Sequence, residues 1–184
     1  KKRGLSGVAI TDHDTIDGAL RAGKKDGLLL IPGIEVTTTR GHMLGLNITK
    51  AIPKGLGPDE TVERIHGAGG IAIVAHPLTF LKRSLGSGSL AKGLKIDAVE
   101  VVNSSNFPFF LSTRVARNLA QQLNLPQTAG SDSHIPETIG LAYTEVESEA
   151  NIDTIIEAVK NGSIAPYGRP VPLIRRFQKI WQKK

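Results

Sequence analysis

Short apolar runs typical of β-strands alternate with helical segments along most of this 184-residue chain. Strands are predicted at 7–11, 28–31, 34–38, 42–48, 71–75, 98–102, 127–129 and 141–146. Helices are predicted at 15–26, 59–68, 111–123 and 152–160, the last capped by Asn151 and closed by Asn161 and Gly162. Alternation of this kind favours an α/β fold with a largely parallel sheet.

The composition is that of an ordinary globular domain, with 40% hydrophobic and 22% charged residues. No apolar run approaches the roughly 18 residues that cross a bilayer, and no signal peptide is visible, so we expect a cytoplasmic protein. The chain contains no cysteine, which excludes disulfides and thiolate ligands. A bound metal would therefore be held by His, Asp and Glu, a set that suits Mn²⁺, Fe²⁺, Zn²⁺ or Mg²⁺.

The positive charge is concentrated in a C-terminal tail, residues 169–184. This tail contains six basic residues and no acidic one; subtracting these six from the 23 basic residues leaves 17, which equals the number of acidic residues. We therefore divide the chain into a body, 1–168, and a basic tail, 169–184.

The tail is predicted to form an amphipathic helix. Its apolar stripe consists of Leu173, Ile174, Phe177, Ile180 and Trp181. Arg175 and Arg176 are placed on the remaining surface of that helix. Packing of the stripe against the body is favoured, and binding of RNA or of a membrane surface or partner helix are the alternatives.

The first four residues, Lys1-Lys2-Arg3-Gly4, resemble the last turn of a helix, with cations near its C-terminus and a glycine after it. Because a β/α unit that begins with a bare helix end is incomplete, we expect further residues upstream of Lys1. A basic disordered leader is the alternative. Farther along the chain, residues 85–90 (LGSGSL) are predicted to form a flexible loop.

Four of the five histidines stand in short polar clusters just after predicted strands. The clusters contain Asp12, His13 and Asp14; His42; His76; and Asp132 and His134. In a parallel β/α barrel the C-terminal ends of the strands open onto one face, where catalytic groups gather. Neutral imidazoles bind divalent ions and carboxylates bridge them, so these residues predict a multi-metal site.

Several of these residues have more than one interpretation. Glu35 lies inside an apolar segment, where an unpaired carboxylate is costly, so it needs a metal or a cationic partner. Asp14 is interpreted first as a cap for the helix that starts at Thr15, with ligation as the alternative. Asp132 and His134 are two residues apart and would share a face of a regular strand. His66, near a helix end without acidic company, is interpreted as a helix C-terminal histidine.

As an ordered set, the motifs resemble the PHP (polymerase and histidinol phosphatase) superfamily of metal-dependent phosphoesterases. ITDHDT (10–15) is similar to its second motif, PGIE (32–35) to the segment with its bridging glutamate, HMLG (42–45) to its next ligand-bearing strand, AHP (75–77) to its third motif and GSDSH (130–134) to its fourth. The resemblance runs from Gly4 to about Glu147. The family's opening His-x-His strand and the acidic turn after it are not in this sequence. The resemblance implies a distorted (β/α)7 barrel, here without its first strand and most of its first helix.

The resemblance also implies a site with two to three divalent ions (Mn, Zn, Fe or Mg), held by His13, Glu35, His42, His76, Asp132 and His134. Glu35 would bridge two ions, and His42 and His76 would complete one of them. Asp132 would join the absent His-x-His pair on another, and His13 and His134 would hold a third. The implied catalytic residues are Glu35, Asp132 and His134, around a metal-bridged hydroxide that attacks phosphorus. A chain without the opening motif would be weakly active or inactive.

The expected activity is hydrolysis of phosphate esters at nucleotide or RNA and oligonucleotide ends, with histidinol phosphate as the competing substrate. Candidate substrate contacts are Asp12, Glu100, Asn103 and Arg114, although a capping or surface role is favoured for the last three. The basic tail offers a contact for RNA. A non-catalytic RNA-binding or scaffolding subunit on the same fold is the alternative, and the intact motifs argue against it.

Overall fold

The computed structural model of the protein describes residues 1–23, 27–77 and 93–176. Its strands are β1 (Gly7–Ile10), β2 (Leu29–Thr38), β3 (Gly41–Leu46), β4 (Ile71–Val74), β5 (Ala98–Asn103), β6 (Gln127–Gly130), β7 (Ala142–Val146) and β8 (Ile164–Gly168). Its helices are α1 (Asp17–Arg21), α2 (Pro58–Gly67), α3 (Phe109–Gln122) and α4 (Ile152–Asn161), with a 3-10 helix at Pro136–Thr138. The predicted α/β class is confirmed.

Six strands form one sheet in chain order, from β1 to β6. The pairs β1–β2, β4–β5 and β5–β6 are parallel, whereas β3 runs antiparallel to both β2 and β4. The prediction of a largely parallel sheet is therefore wrong in the middle of the sheet. Only Thr39 and Arg40 separate β2 from β3, and so short a connection joins antiparallel neighbours.

The other two strands, β7 and β8, form a separate antiparallel pair. A side chain links this pair to the main sheet: Thr144 Oγ1 accepts the Ala129 N–H at 2.9 Å and donates to the Ala129 carbonyl at 3.1 Å. The whole is a mixed α/β fold with a sheet that curls into a half-barrel. The sequence does not predict β8, because Pro166 and Gly168 are disfavoured inside a strand.

Helices cover the sheet on both faces. On one face, α2 and α3 contribute Ile65, Ala116 and Leu119 to the main core. On the other face, Ile156 and Val159 of α4 pack against residues of β4 and β5. Every residue of β4 and β5 is buried, so any polar side chain on these strands needs a bonding partner inside the protein.

The predicted ends of α4 are confirmed, since Asn151 Oδ1 accepts the Thr154 N–H at 2.9 Å and Gly162 has a φ of 77°. In contrast, α1 covers only Asp17–Arg21 of the predicted 15–26, and residues 24–26 lie outside the described part of the chain. Within the described ranges, no helix is both long enough and apolar enough to span a membrane.

The tail is described only as far as residue 176, and its residues 173–176 are helical. Leu173 and Ile174 are 65% and 72% exposed, so the favoured packing of the apolar stripe against the body is wrong for these two residues. The rest of the stripe, Phe177, Ile180 and Trp181, and the loop predicted at 85–90 lie outside the described residues.

Candidate metal centre

The backbone brings His13 and Glu35 together. The Glu35 N–H donates to the Asp12 carbonyl and the Asp14 N–H donates to the Glu35 carbonyl, both at 3.0 Å. This parallel bridge continues the β1–β2 register beyond the end of β1. As a result, His13 Nε2 lies 3.7 Å from Glu35 Oε2.

Strand β3 places His42 beside the same carboxylate. Thr37 pairs with His42 in the antiparallel register, and Glu35 and Thr37 face the same side because they are two residues apart. His42 is therefore a diagonal neighbour of Glu35 across the two strands. Its Nδ1 lies 2.9 Å from Glu35 Oε1.

His76 follows the end of β4 and completes the inner part of the site. Its Nε2 lies 3.2 Å from Glu35 Oε1 and 3.5 Å from His42 Nδ1. The residue is only 2% exposed, and its Nδ1 has no hydrogen-bond partner among the described residues. Burial of a nitrogen without a partner costs free energy. Buried polar groups normally have partners, and a functional role of the ring explains this exception.

Glu35 is an anion held by its neighbours. Burial alone would raise the pKa of Glu35, but hydrogen bonds with His42 and His76 and the electrostatic interactions with His13 and His76 outweigh burial and hold that pKa well below its usual value. The carboxylate therefore stays charged throughout the physiological pH range. Because three imidazoles surround it, this carboxylate is suited to binding divalent cations.

Asp132 and His134 face the same site. A cleft of about 470 Å³ is lined by His13, Glu35, Asp132 and His134, among other residues. The ring centroids of His13 and His134 are 6.4 Å apart, and His134 Nδ1 lies 3.1 Å from the Asp132 carbonyl oxygen. His42 and His76 do not line this cleft, but both contact Glu35, which does. The structure thus brings all six predicted metal ligands together.

Three residues of this region have a left-handed backbone, with φ values of 57° at Asp14, 28° at His76 and 47° at Asp132. Such non-glycine conformations cost about 1–3 kcal/mol each, so surrounding contacts must hold them in place. The prediction that Asp132 and His134 share a strand face is wrong, because β6 ends at Gly130 and the chain turns at Asp132.

The prediction that Asp14 caps a helix is also wrong. Its Oδ1 accepts the Thr37 N–H at 2.7 Å, and α1 begins without a side-chain cap. Asp14 therefore ties the loop after β1 to β2, and this contact supports the position of His13.

Glu100 and Asn103 lie behind the predicted ligands. Glu100 Oε2 accepts the His76 main-chain N–H and an Asn103 Nδ2 hydrogen, both at 2.9 Å, and Asn103 Nδ2 also lies 3.4 Å from Asp132 Oδ2. Gly130 leaves room for this carboxyl group, because a Cβ there would meet Glu100 Oε1 at 2.5 Å. Glu100 and Asn103 thus bond to each other and to predicted metal ligands. These contacts are neither the predicted contact with substrate nor the predicted capping or surface role.

The two other substrate candidates lie in different places. Asp12 lines the cleft. Arg114 is exposed on α3 and is not among the residues that line the cleft. Of the four candidates, Asp12 is the one that lines this cleft among the described residues.

His66 lies away from this cluster and has an acidic partner that the sequence does not predict. Its Nε2 lies 2.7 Å from Asp97 Oδ2, which also accepts the Ala72 N–H at 2.7 Å. Asp97 directly precedes β5 and is distant from His66 along the chain, so local sequence could not reveal the pair.

Sequence reasoning missed two further residues near the site. The Ser105 hydroxyl donates to the Asp132 carbonyl at 3.0 Å, and its position just after β5 was the only available signal. Arg176, predicted on a free helix surface, instead donates to main-chain carbonyls of the loop 104–106.

Glu100 makes the stability of the metal-free protein depend on pH. Burial raises the pKa of Glu100 from 4.5 to about 7. Because the folded-state pKa is the higher one, the stabilisation is complete below pH 4.5 and is lost as the pH rises through about 7. In the presence of a chelator, the wild type should lose about 3 kcal/mol more unfolding free energy over this range than Glu100→Gln does. Urea unfolding at several pH values measures the difference.

Glu63→Gln is the matched control for this experiment, because Glu63 is exposed on α2. Its stability should follow the wild-type pH profile. Parallel profiles for wild type and Glu100→Gln would show that the buried carboxyl group does not take up a proton in this range.

The residues present fit a divalent metal. One ligand atom each from His13, Glu35 and His42 lies within 4.8 Å of the others. Imidazole nitrogens combined with carboxylate oxygens suit Zn²⁺, Fe²⁺ and Mn²⁺. The buried Nδ1 of His76 has no hydrogen-bond partner among the described residues, and this is a second sign that the cluster binds a ligand.

The chain is similar to a known family model and to other known proteins. Residues 111–164 match the family model described as PHP-associated. The uncharacterized protein MJ1587 of Methanocaldococcus jannaschii is 42% identical over 107 residues, which cover 56% of this chain and 61% of that protein.

Two solved structures share the fold. One is a two-domain protein from Bacteroides vulgatus that contains a predicted PHP-like metal-dependent phosphoesterase (TM-score 0.68, 20% identity, 90% of this chain and 57% of that chain). The other is the lesion-specific endonuclease PfuEndoQ from Pyrococcus furiosus (TM-score 0.63, 20% identity, 89% of this chain and 50% of that chain).

The chain spans 61% of the length of the curated relative and 57% and 50% of the two solved chains. At 20% identity the two solved structures show the fold alone. The family model and the shared fold together confirm the predicted resemblance to the PHP superfamily: the chain has the fold of PHP-like proteins and carries a PHP-associated segment.

Proposed function

We propose that the protein is a cytoplasmic, metal-dependent phosphoesterase that hydrolyses phosphate esters at nucleotide or oligonucleotide ends. The convergence of four imidazoles and two carboxylates in one cluster, part of which lines the cleft, carries the proposal. We expect two to three divalent ions, drawn from Mn, Zn, Fe and Mg, because this donor set exceeds what one ion needs.

Each ligand has a role that follows from its position. Glu35 would be the ligand shared between ions, because its Oε1 lies near His42 and His76 whereas its Oε2 lies nearest to His13. Asp132 supplies the second anion. His134 lines the cleft and its side chain is 40% exposed, so it would be accessible to a bound substrate. Bound cations would supply Lewis-acid activation of water and neutralise charge on the phosphoryl oxygens.

Two observations favour a nucleotide or oligonucleotide over histidinol phosphate. The tail contains six basic residues and no acidic one, and such a segment attracts polyanions. In addition, one protein with this fold is a lesion-specific endonuclease. We therefore expect the substrate to be an ester of a nucleotide or of a nucleic-acid end.

The test combines metal analysis with a phosphate-release screen. The complete protein should contain two to three equivalents of divalent metal, and it should release phosphate from nucleotides or oligonucleotides at least about tenfold faster than from histidinol phosphate, a difference of about 1.4 kcal/mol in activation free energy. A chelator should stop the reaction and Mn²⁺ should restore it. Protein that binds RNA but neither binds metal nor releases phosphate would support the scaffolding alternative instead.

Two finer predictions stay open. The distorted (β/α)7 barrel of the family requires a further strand beside β1. Contact with RNA through the basic tail depends largely on residues 177–184, which lie outside the described part of the chain.

A further inference from the structure

The Arg176 side chain reaches from the tail into the loop that follows β5. Its guanidinium donates to four main-chain carbonyls: Ser105 from Nη1 at 3.1 Å, Ser104 and Asn106 from Nη2 at 3.2 and 2.9 Å, and Val171 from Nε at 3.2 Å. It also lies over the Phe107 ring, 5.5 Å from the ring centroid. A planar fork of several N–H donors can serve this many acceptors, whereas a lysine ammonium cannot match that geometry.

Main-chain hydrogen bonds also hold the loop: Ser104 N–H donates to the Gly130 carbonyl at 3.2 Å, Val171 N–H to the Ser104 carbonyl at 2.9 Å and Asn106 N–H to the Asn103 carbonyl at 3.1 Å. Ser104 and Asn106 are 0% and 3% exposed, yet Ser104 Oγ and Asn106 Oδ1 have no hydrogen-bond partner among the described residues. Removal of the guanidinium would take a charged donor away from the Ser105 and Asn106 carbonyls. The guanidinium therefore helps to hold residues 104–106 in place.

This loop contacts Asp132 in two ways. The Ser105 hydroxyl donates to the Asp132 carbonyl at 3.0 Å. The Ser105 N–H donates to Asn103 Oδ1 at 2.9 Å, and Asn103 Nδ2 lies 3.4 Å from Asp132 Oδ2. Asp132 needs such support, because its left-handed backbone is maintained only by its surroundings.

We propose that Arg176 is a positioning residue for the metal centre: by holding residues 104–106, it lets Ser105 and Asn103 fix Asp132 in the orientation that binds a divalent cation. This inference rests on the proposed function, in which Asp132 is a metal ligand. A purely structural role, in which Arg176 only attaches the tail to the body, is the competing interpretation.

The test measures Mn²⁺ affinity, the visible spectrum of Co²⁺-loaded protein and the kinetics of phosphate release in the full chain. Arg176→Lys keeps the charge but loses the fork, so it should lower Mn²⁺ affinity and kcat by about 10–100-fold, as loss of a residue that orients a metal ligand does. KM should change little, and the Co²⁺ spectrum should shift because the ligand geometry changes. Arg169→Lys is the matched control, since Arg169 is exposed, and it should behave like the wild type.

Ser105→Ala tests the contact between Ser105 and Asp132 and leaves the guanidinium unchanged. It should lower Mn²⁺ affinity by about fivefold, the effect of one lost hydrogen bond. In a double-mutant cycle, Arg176→Lys and Ser105→Ala should together cost less than the sum of their separate effects, because both act on Asp132.

The outcomes separate this inference from the proposed function. A lower melting temperature in Arg176→Lys with unchanged Mn²⁺ affinity and Co²⁺ spectrum would overturn the positioning role, provided that Asp132→Asn still loses affinity. If the wild type binds no Mn²⁺, the proposed function fails and the positioning role fails with it. If the wild type binds Mn²⁺ and Asp132→Asn binds it equally well, Asp132 is not a ligand and the positioning role alone fails.

Discussion

The Glu35→Gln variant is expected to lose at least about a hundredfold in phosphate release, and most of its affinity for divalent metal, since one preorganised charged group at a reaction centre contributes 10²–10³ in rate. Glu35 is buried and lies within 3.7 Å of three imidazoles. The amide of glutamine has almost the same shape, but it carries no charge and cannot bridge two cations. Mn²⁺ titration and steady-state phosphate release measure both losses.

The matched control for Glu35→Gln is Glu60→Gln. Glu60 is exposed on α2 and pairs with Arg64 at 2.8 Å, and an exposed pair of this kind contributes at most about 0.5 kcal/mol to stability. The control should bind metal and release phosphate like the wild type. Activity within threefold of wild type in Glu35→Gln would contradict the bridging role.

Replacement of Asp132 by asparagine should have the second largest effect. Asparagine keeps the shape of the side chain and tolerates the left-handed backbone at this position. We therefore expect a melting temperature close to that of the wild type, but a loss of about a hundredfold or more in phosphate release because the anion is gone. Thermal unfolding and kinetics of the same preparation test the two statements together.

Comparison of Asp132→Ala with Asp132→Asn separates the effect of the lost charge from the effect of the left-handed backbone. Alanine also removes the carboxylate, but it fits a φ of 47° poorly, so this variant should in addition lose about 1–2 kcal/mol of unfolding free energy. If alanine and asparagine variants were equally stable, the left-handed conformation would not be the reason for an Asp or Asn at this position. If the asparagine variant kept its activity, the charge of Asp132 would not be needed.

The sequence predicts most strands correctly because their apolar runs are short and clearly bounded. Predicted and observed bounds of β1, β4 and β6 agree to within one residue. The same patterns place His76 and Asp132 just beyond strand ends, which is why the cluster could be anticipated before its geometry was known. The direction of β3 could not be read in this way, since an apolar run has the same pattern in either orientation.

Two of the errors concern contacts between residues far apart in the chain. Asp14 bonds to Thr37, and Arg176 bonds to the loop 104–106. A local pattern offers a nearby explanation for each, a helix cap for Asp14 and a solvent-facing position for Arg176. Tertiary contacts override such local preferences, because a buried acceptor gains more from a charged partner than a surface group does.

The left-handed backbone at His76 and Asp132 has a consequence for the engineering of this protein. Each conformation costs free energy, and His76 also buries a ring nitrogen that has no partner within the described part of the chain. Substitutions that relax these positions would make the molecule more heat-resistant while they dismantle its chemistry. A thermostable form chosen by melting temperature alone would therefore tend to be an inert one.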